Sequence, residues 1–181
     1  MFNGVTINTS EWAHVIIDVQ KNFCSAAKGQ EEAEQVAQNI AVVKASLAKL
    51  KLATYIVYFS NYGQDHTNSS GGLHIIEPTN GDVIVPKTRD FMVKGGDILT
   101  LLKDGGHKSL LVSGFNRGYC VADSVVDSLK NGLEVTVMED CVGHMKHQAS
   151  LPTHKRAYDT MRKSGAQISC SQAILSHLSR F

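Results

Sequence analysis

Six short apolar runs rich in β-branched residues recur along the chain with helix-length segments between them: His14–Ile17, Thr54–Phe59, Val83–Val85, Ser109–Val112, Glu134–Met138 and Ala166–Ile168. Runs of this length read as buried strands, and the intervals between them carry the other periodicity. Glu31–Leu50 places Ala33, Val36, Ala37, Ile40, Val43, Leu47 and Leu50 at helical spacing, with charged and amide residues on the other face. Gly95–Lys103, Tyr119–Lys130 and Leu151–Lys163 behave alike, and Gly105-Gly106, Asn131-Gly132 and Ser164-Gly165 follow these three helices as stop signals. Strands joined by helices make right-handed crossovers, so the expected product is a three-layer α/β/α domain on a mostly parallel sheet of about six strands. A chain of 181 residues is enough for one full core, and one domain over residues 1–181 is expected. The interval Asn61–Gly81, with Asn68-Ser69-Ser70-Gly71-Gly72 inside it, reads as a long surface loop of the kind that carries function.

Eighteen basic against seventeen acidic side chains give a formal charge of +1, which provides no field for nucleic acid or anionic lipid. Met1–Ser10 lacks the basic start and apolar core of a signal peptide, and no apolar run approaches the roughly 20 residues that span a bilayer. A cytoplasmic protein acting on a small molecule is therefore expected, with neither a nucleic-acid nor a membrane partner. Cys24, Cys120, Cys141 and Cys170 form no CxxC pair and are expected as free thiols.

In an open parallel sheet, ligands bind outside the carboxyl ends of the strands. Asp18 closes Val15-Ile16-Ile17, Lys87 follows Val83-Ile84-Val85-Pro86, and Cys120 lies just past Leu110–Gly114, where a helix begins. Taken singly, these are ordinary: a turn aspartate, a solvated lysine, a small buried thiol. Together they form a reactive set. A thiol at a helix N-terminus beside an ammonium has a lowered pKa, a carboxylate can exchange protons with it, and the lysine balances that carboxylate's charge. The segment around Asp18 lacks the glycines of a dinucleotide-binding turn.

Three segments in the same order resemble the isochorismatase-like cysteine hydrolases. Asp18-Val19-Gln20-Lys21-Asn22-Phe23 is similar to their DxQxxF opening, Gly81–Lys87 to the segment that ends in the catalytic lysine, and Gly114-Phe115-Asn116-Arg117-Gly118-Tyr119-Cys120-Val121 to the nucleophile turn. The likeness continues through Val135–Asp140 and the helix holding His154 and Ala157, so it covers nearly the whole chain. It implies that Cys120 attacks a carbonyl carbon, that Asp18 is the general acid and base, and that Lys87 completes the triad. It also implies a cis peptide between Phe115 and Asn116, with the amides of Asn116 and Cys120 as oxyanion donors. Phe23, Gln20 and Arg117 are the substrate-binding residues expected from it, with Phe23 equally readable as core.

Many relatives of that kind have Thr where Arg117 stands, and its guanidinium either favours an anionic substrate or points to solvent. Asp65, His66 and His74 do not reproduce the metal-ligand spacing of the nicotinamidase branch, so no metal and no cofactor are expected. His144, His147 and His154 are expected at the surface or in capping roles, with only His147 and His154 sharing a helical face. Isochorismatases proper cleave a vinyl ether without the cysteine, so a retained Cys120 points to an amide or ureido carbon–nitrogen bond. Ether hydrolysis through Asp18 and a catalytically silent binding scaffold are the alternatives. A homo-oligomer, dimer or tetramer, is expected.

Overall fold

The computed structural model describes residues 9–60, 66–88, 92 and 97–179. Its centre is a six-stranded, all-parallel sheet built from β1 (Trp12–Ile17), β2 (Ala53–Phe59), β3 (Asp82–Lys87), β4 (Ser109–Gly114), β5 (Glu134–Val142) and β6 (Gln167–Ser169). The spatial order is β3-β2-β1-β4-β5-β6. The chain winds outward from β1 to one edge and then crosses back to lay β4 against its other side. The carboxyl ends of β1 and β4 therefore flank the point where the winding reverses, which is where such sheets leave a crevice.

The α-helices are α1 (Lys21–Cys24), α2 (Glu31–Lys49), α3 (Ile98–Asp104), α4 (Ala122–Lys130), α5 (Pro152–Lys163) and α6 (Ser171–Leu178), and short 3-10 and π-helical turns lie among them. In α2, Ala33, Ala37, Ile40, Val43 and Leu47 bury themselves against Ile16, Ile56 and Leu111 of one sheet face. Acidic Glu31, Glu32 and Glu34 occupy its first turn and Lys49 its last, the polarity that complements a helix dipole. On the opposite face, Val15, Val57, Val112 and Val137 pack under Leu102, Val125 and Met161 of α3, α4 and α5. Period-two alternation thus feeds two separate apolar clusters, one per face.

Several boundaries differ from the sequence reading. Lys87 is the last residue of β3 and does not follow it, and Pro86 lies inside the strand. Proline is tolerated there because β3 is an edge strand, where a missing N–H interrupts no ladder on the outer side. Helix α6 went unforeseen, being only eight residues long. Gly95 lies outside the described residues, and α3 is described from Ile98. The described part of the long interval does not simply run over the surface. Leu73 bridges Gln20, Gly72 accepts from the Lys21 amide at 3.0 Å, and Ile76 is buried in the α2-side cluster.

His14, on the α2 side of β1, is fully buried with Nε2 2.9 Å from the Ser113 hydroxyl. Burial foremost, then the charge of Lys44, holds its imidazole down to about 3, with Asp82 opposing. The unfolded chain takes up that proton near 6.5, so the unfolded state binds more protons below 6.5 and the fold loses stability as pH falls toward 3. About 2 kcal/mol should be lost from this group between pH 6.5 and about 4.5. Urea unfolding over that range should show a steeper decline for the wild type than for His14→Gln; parallel declines would refute the assignment.

Candidate active site

The backbone leaves β1 abruptly at Asp18, a non-glycine residue at φ 52°. Its amide still donates to Val57 O at 2.8 Å, continuing the β1–β2 ladder, while its carbonyl accepts from Gln20 N at 2.8 Å. Lys87 stands at the end of β3, with β2 between them. Two strand spacings of about 4.8 Å separate their backbones. The four-carbon lysine stem bridges that gap. Lys87 Nζ lies 2.7 Å from Asp18 Oδ2, with both side chains 0% exposed. On the way it passes over the strand it crosses, 4.9 Å from the ring centroid of Phe59, its register partner on β2. Gln20 engages the same residue from the other side. Its Nε2 donates to Phe59 O at 3.2 Å and its Oε1 accepts from Phe59 N at 2.8 Å. Gln20, read from the sequence as a substrate contact, thus has both ends of its carboxamide on the main chain of Phe59.

The thiol arrives from β4. Gly114 ends that strand at φ 128°, and a Cβ there would stand 2.0 Å from Ile17 O, so only glycine lets the two strand ends meet. The Phe115–Asn116 peptide is cis. Cys120, 6% exposed, follows in a π-helical turn, Arg117–Val121, and the α-helix proper starts only at Ala122. The expected helix start at Tyr119 is therefore a wider turn. Its amides are heavily committed: Arg117 N to Gly143 O, Tyr119 N and Val121 N to Asn116 O, and Gly118 N to His154 Nδ1.

That last bond ties the turn to α5. A Cβ on Gly118 would lie 2.9 Å from His154 N, so glycine lets the α5 backbone pack directly on the turn. His154 is 1% exposed, not at the surface, and its ring neighbours are Tyr119 and His144, each 5.4 Å away between centroids. The sequence pairing of His147 with His154 is thereby replaced by His144 with His154. Burial first, then His144, Arg117 and His147, lowers the His154 imidazole to about 4, so it is neutral and accepts at Nδ1. The guanidinium of Arg117 packs 5.2 Å from the ring centroid of Tyr158 on α5.

A cavity of about 340 Å³ opens beside the thiol, lined by Phe23, Phe59, Asn116, Tyr119, Cys120 and Gln148. Phe23 of α1 is thus in its wall. Phe59, Tyr119 and Gln148 were not singled out from sequence; Phe59 could have been, because it ends a strand at the carboxyl edge. Asp65 lies outside the described residues. His66 packs edge-on to Tyr58, and His74 Nε2 is 2.8 Å from Glu34 Oε1. No group of three or more His, Cys, Asp or Glu able to hold a metal ion occurs among the described residues.

The described helices include none long and apolar enough to cross a membrane. In structure the chain is similar to a cysteine hydrolase from Pseudomonas syringae pv. phaseolicola, with a TM-score of 0.85 at 14% identity over 98% of this chain and 96% of that one. It is also similar to N-carbamoylsarcosine amidase from Thermoplasma acidophilum, with a TM-score of 0.75 at 21% identity over 89% and 96%. The pyrazinamidase of Pyrococcus horikoshii, solved in complex with zinc, gives a TM-score of 0.77 at 20% identity over 88% and 99%. In sequence it is 34% identical over 73 residues to isochorismatase family protein 1B of Dictyostelium discoideum, a match spanning 40% of this chain and 34% of that relative. The family model described as the isochorismatase domain matches residues 12–173. That span holds all six strands and every residue of the cavity wall, and the chain belongs to the isochorismatase family.

Proposed function

We propose that this isochorismatase-family hydrolase cleaves an amide or ureido carbon–nitrogen bond of a small molecule, with Cys120 as nucleophile, Asp18 as general acid and base, and Lys87 as the partner of that carboxylate. One observation carries the reading: a fully buried carboxylate–ammonium pair touches, through Phe59, the wall of the cavity that Cys120 lines. A buried ion pair is weak evidence for stability, since its desolvation offsets most of the attraction. Its placement at the carboxyl edge of the sheet fits a proton-handling role instead.

In the scheme, the Cys120 proton passes to Asp18 as sulfur bonds to the substrate carbonyl carbon. The amides of Asn116 and Cys120 stabilise the resulting oxyanion. Collapse breaks the carbon–nitrogen bond, and Asp18 returns the proton to the leaving amine or ammonia, leaving a thioester. A water then gives one proton to Asp18 while its oxygen attacks the thioester carbon. The carbon–sulfur bond breaks, sulfur recovers the proton, and the acid departs. Lys87 keeps the carboxylate ionised between these transfers. Apolar walls at Phe23, Phe59 and Tyr119 suit a compact, weakly charged substrate.

Cys120→Ala should reduce turnover to background with the fold retained, and brief iodoacetamide treatment followed by intact-mass measurement should label Cys120 ahead of the other three thiols. Unchanged turnover by that variant would eliminate covalent catalysis. Asp18→Asn should be nearly as inactive, because an amide cannot carry the proton. Lys87→Met leaves a carboxylate buried without its cation and should cost about 3–5 kcal/mol in chemical unfolding, whereas adding Asp18→Asn to it should recover much of that loss. Additive losses in the double variant would contradict direct coupling. Exhaustive chelation should leave activity unchanged; a loss restored by zinc or iron would show that the reaction needs a metal.

A further inference from the structure

The catalytic scheme gives no task to Gln148, a polar side chain of the cavity wall. Gln148 ends the short 3-10 turn Lys146–Gln148 between β5 and α5 and is 8% exposed. Its main chain is fixed, the amide donating to Met145 O at 2.8 Å and the carbonyl accepting from Leu151 N at 3.0 Å. Its side chain is not similarly engaged: Oε1 is enclosed and meets no donor among the described residues. Asn116, by contrast, is already engaged, its Oδ1 accepting from Met145 N at 3.3 Å. Phe23, Phe59 and Tyr119 make much of the remaining surface aromatic. A buried carbonyl oxygen without a donor is unfavourable, and a ligand can bring the donor only where the oxygen turns to the cavity. Rotation of the carboxamide about its last torsion, which is broad and roughly two-fold, can bring that oxygen round to the cavity.

We propose that Gln148 is the specificity-determining residue of this cavity, its carboxamide oxygen, turned to the cavity, accepting from an N–H of a carboxamide or ureido group of the substrate. The assignment rests on the reading of Cys120 as a hydrolytic nucleophile and extends it to substrate choice. An ester of the same shape has no N–H and leaves Oε1 unmet. Sites built around a polar partner reject analogues lacking it far more strongly than apolar walls reject a change of size.

The probe pair is benzamide and methyl benzoate, one ring with and without N–H donors. Their binding is measured by calorimetry to Cys120→Ala, which removes turnover and retains Gln148. Benzamide should bind at least about tenfold tighter. Adding Gln148→Leu, or Gln148→Met should the first variant fail to fold, should abolish that preference and leave methyl benzoate binding within about twofold. Equal binding of the two probes with Gln148 present, no binding of either, or a preference that survives its replacement would each overturn the proposal. The underlying reading is tested separately in the wild type by a stoichiometric burst of p-nitrophenolate from p-nitrophenyl acetate and a matching adduct on Cys120. Failure of that burst alongside an intact amide preference would remove the hydrolase and leave the recognition.

Discussion

The ion pair between Asp18 and Lys87 makes the strictest geometric demand in the molecule. A carboxylate and an ammonium, both withdrawn from water, must meet at 2.7 Å across an intervening strand. That requires β3 to sit in register with β2, Lys87 opposite Phe59, and β2 with β1, Ile17 opposite Val57. A slip of one residue would reverse the faces of a strand and turn Lys87 away. The Phe59 ring fills the space beneath the lysine, and Gln20 holds the Phe59 main chain, so the pair and the aromatic wall of the cavity are set by the same few contacts.

The nucleophile turn is supported from a different quarter. Gly114 brings the end of β4 against Ile17, immediately before Asp18, while Gly118 lets α5 lie on the turn holding Cys120. Neutral His154 bonds the turn's amide from α5. Protonation of that imidazole would remove the acceptor, which ties the order of the turn to a group outside the cavity wall.

Much of the fold was legible because the two periodicities alternate cleanly: the β-branched runs placed all six strands, and glycines marked three helix ends. Asp18, Lys87 and Cys120 stood out because polar residues at the ends of apolar strands are conspicuous. Boundaries were less legible. The π-helical turn before Ala122 has the same residue pattern as the first turn of an α-helix, and Pro86 reads as a strand breaker until the edge position of β3 is known. The partners of Gln20 and Arg117 were beyond sequence reasoning, because each packs on a residue distant along the chain, Phe59 and Tyr158. Gln148 carried no local signal at all: a glutamine in a turn looks the same whether it faces water or a cavity.

Pro86 has a further consequence. An edge strand with free amides is a template on which another chain can add a strand, and Pro86 removes one of those donors from the β3 edge. At the opposite edge, β6 is only three residues long. Neither margin of the described sheet offers a long uninterrupted ladder for another copy to extend. The same two features reduce the hazard of fibrillar growth, to which a long uninterrupted edge would expose this otherwise all-parallel sheet.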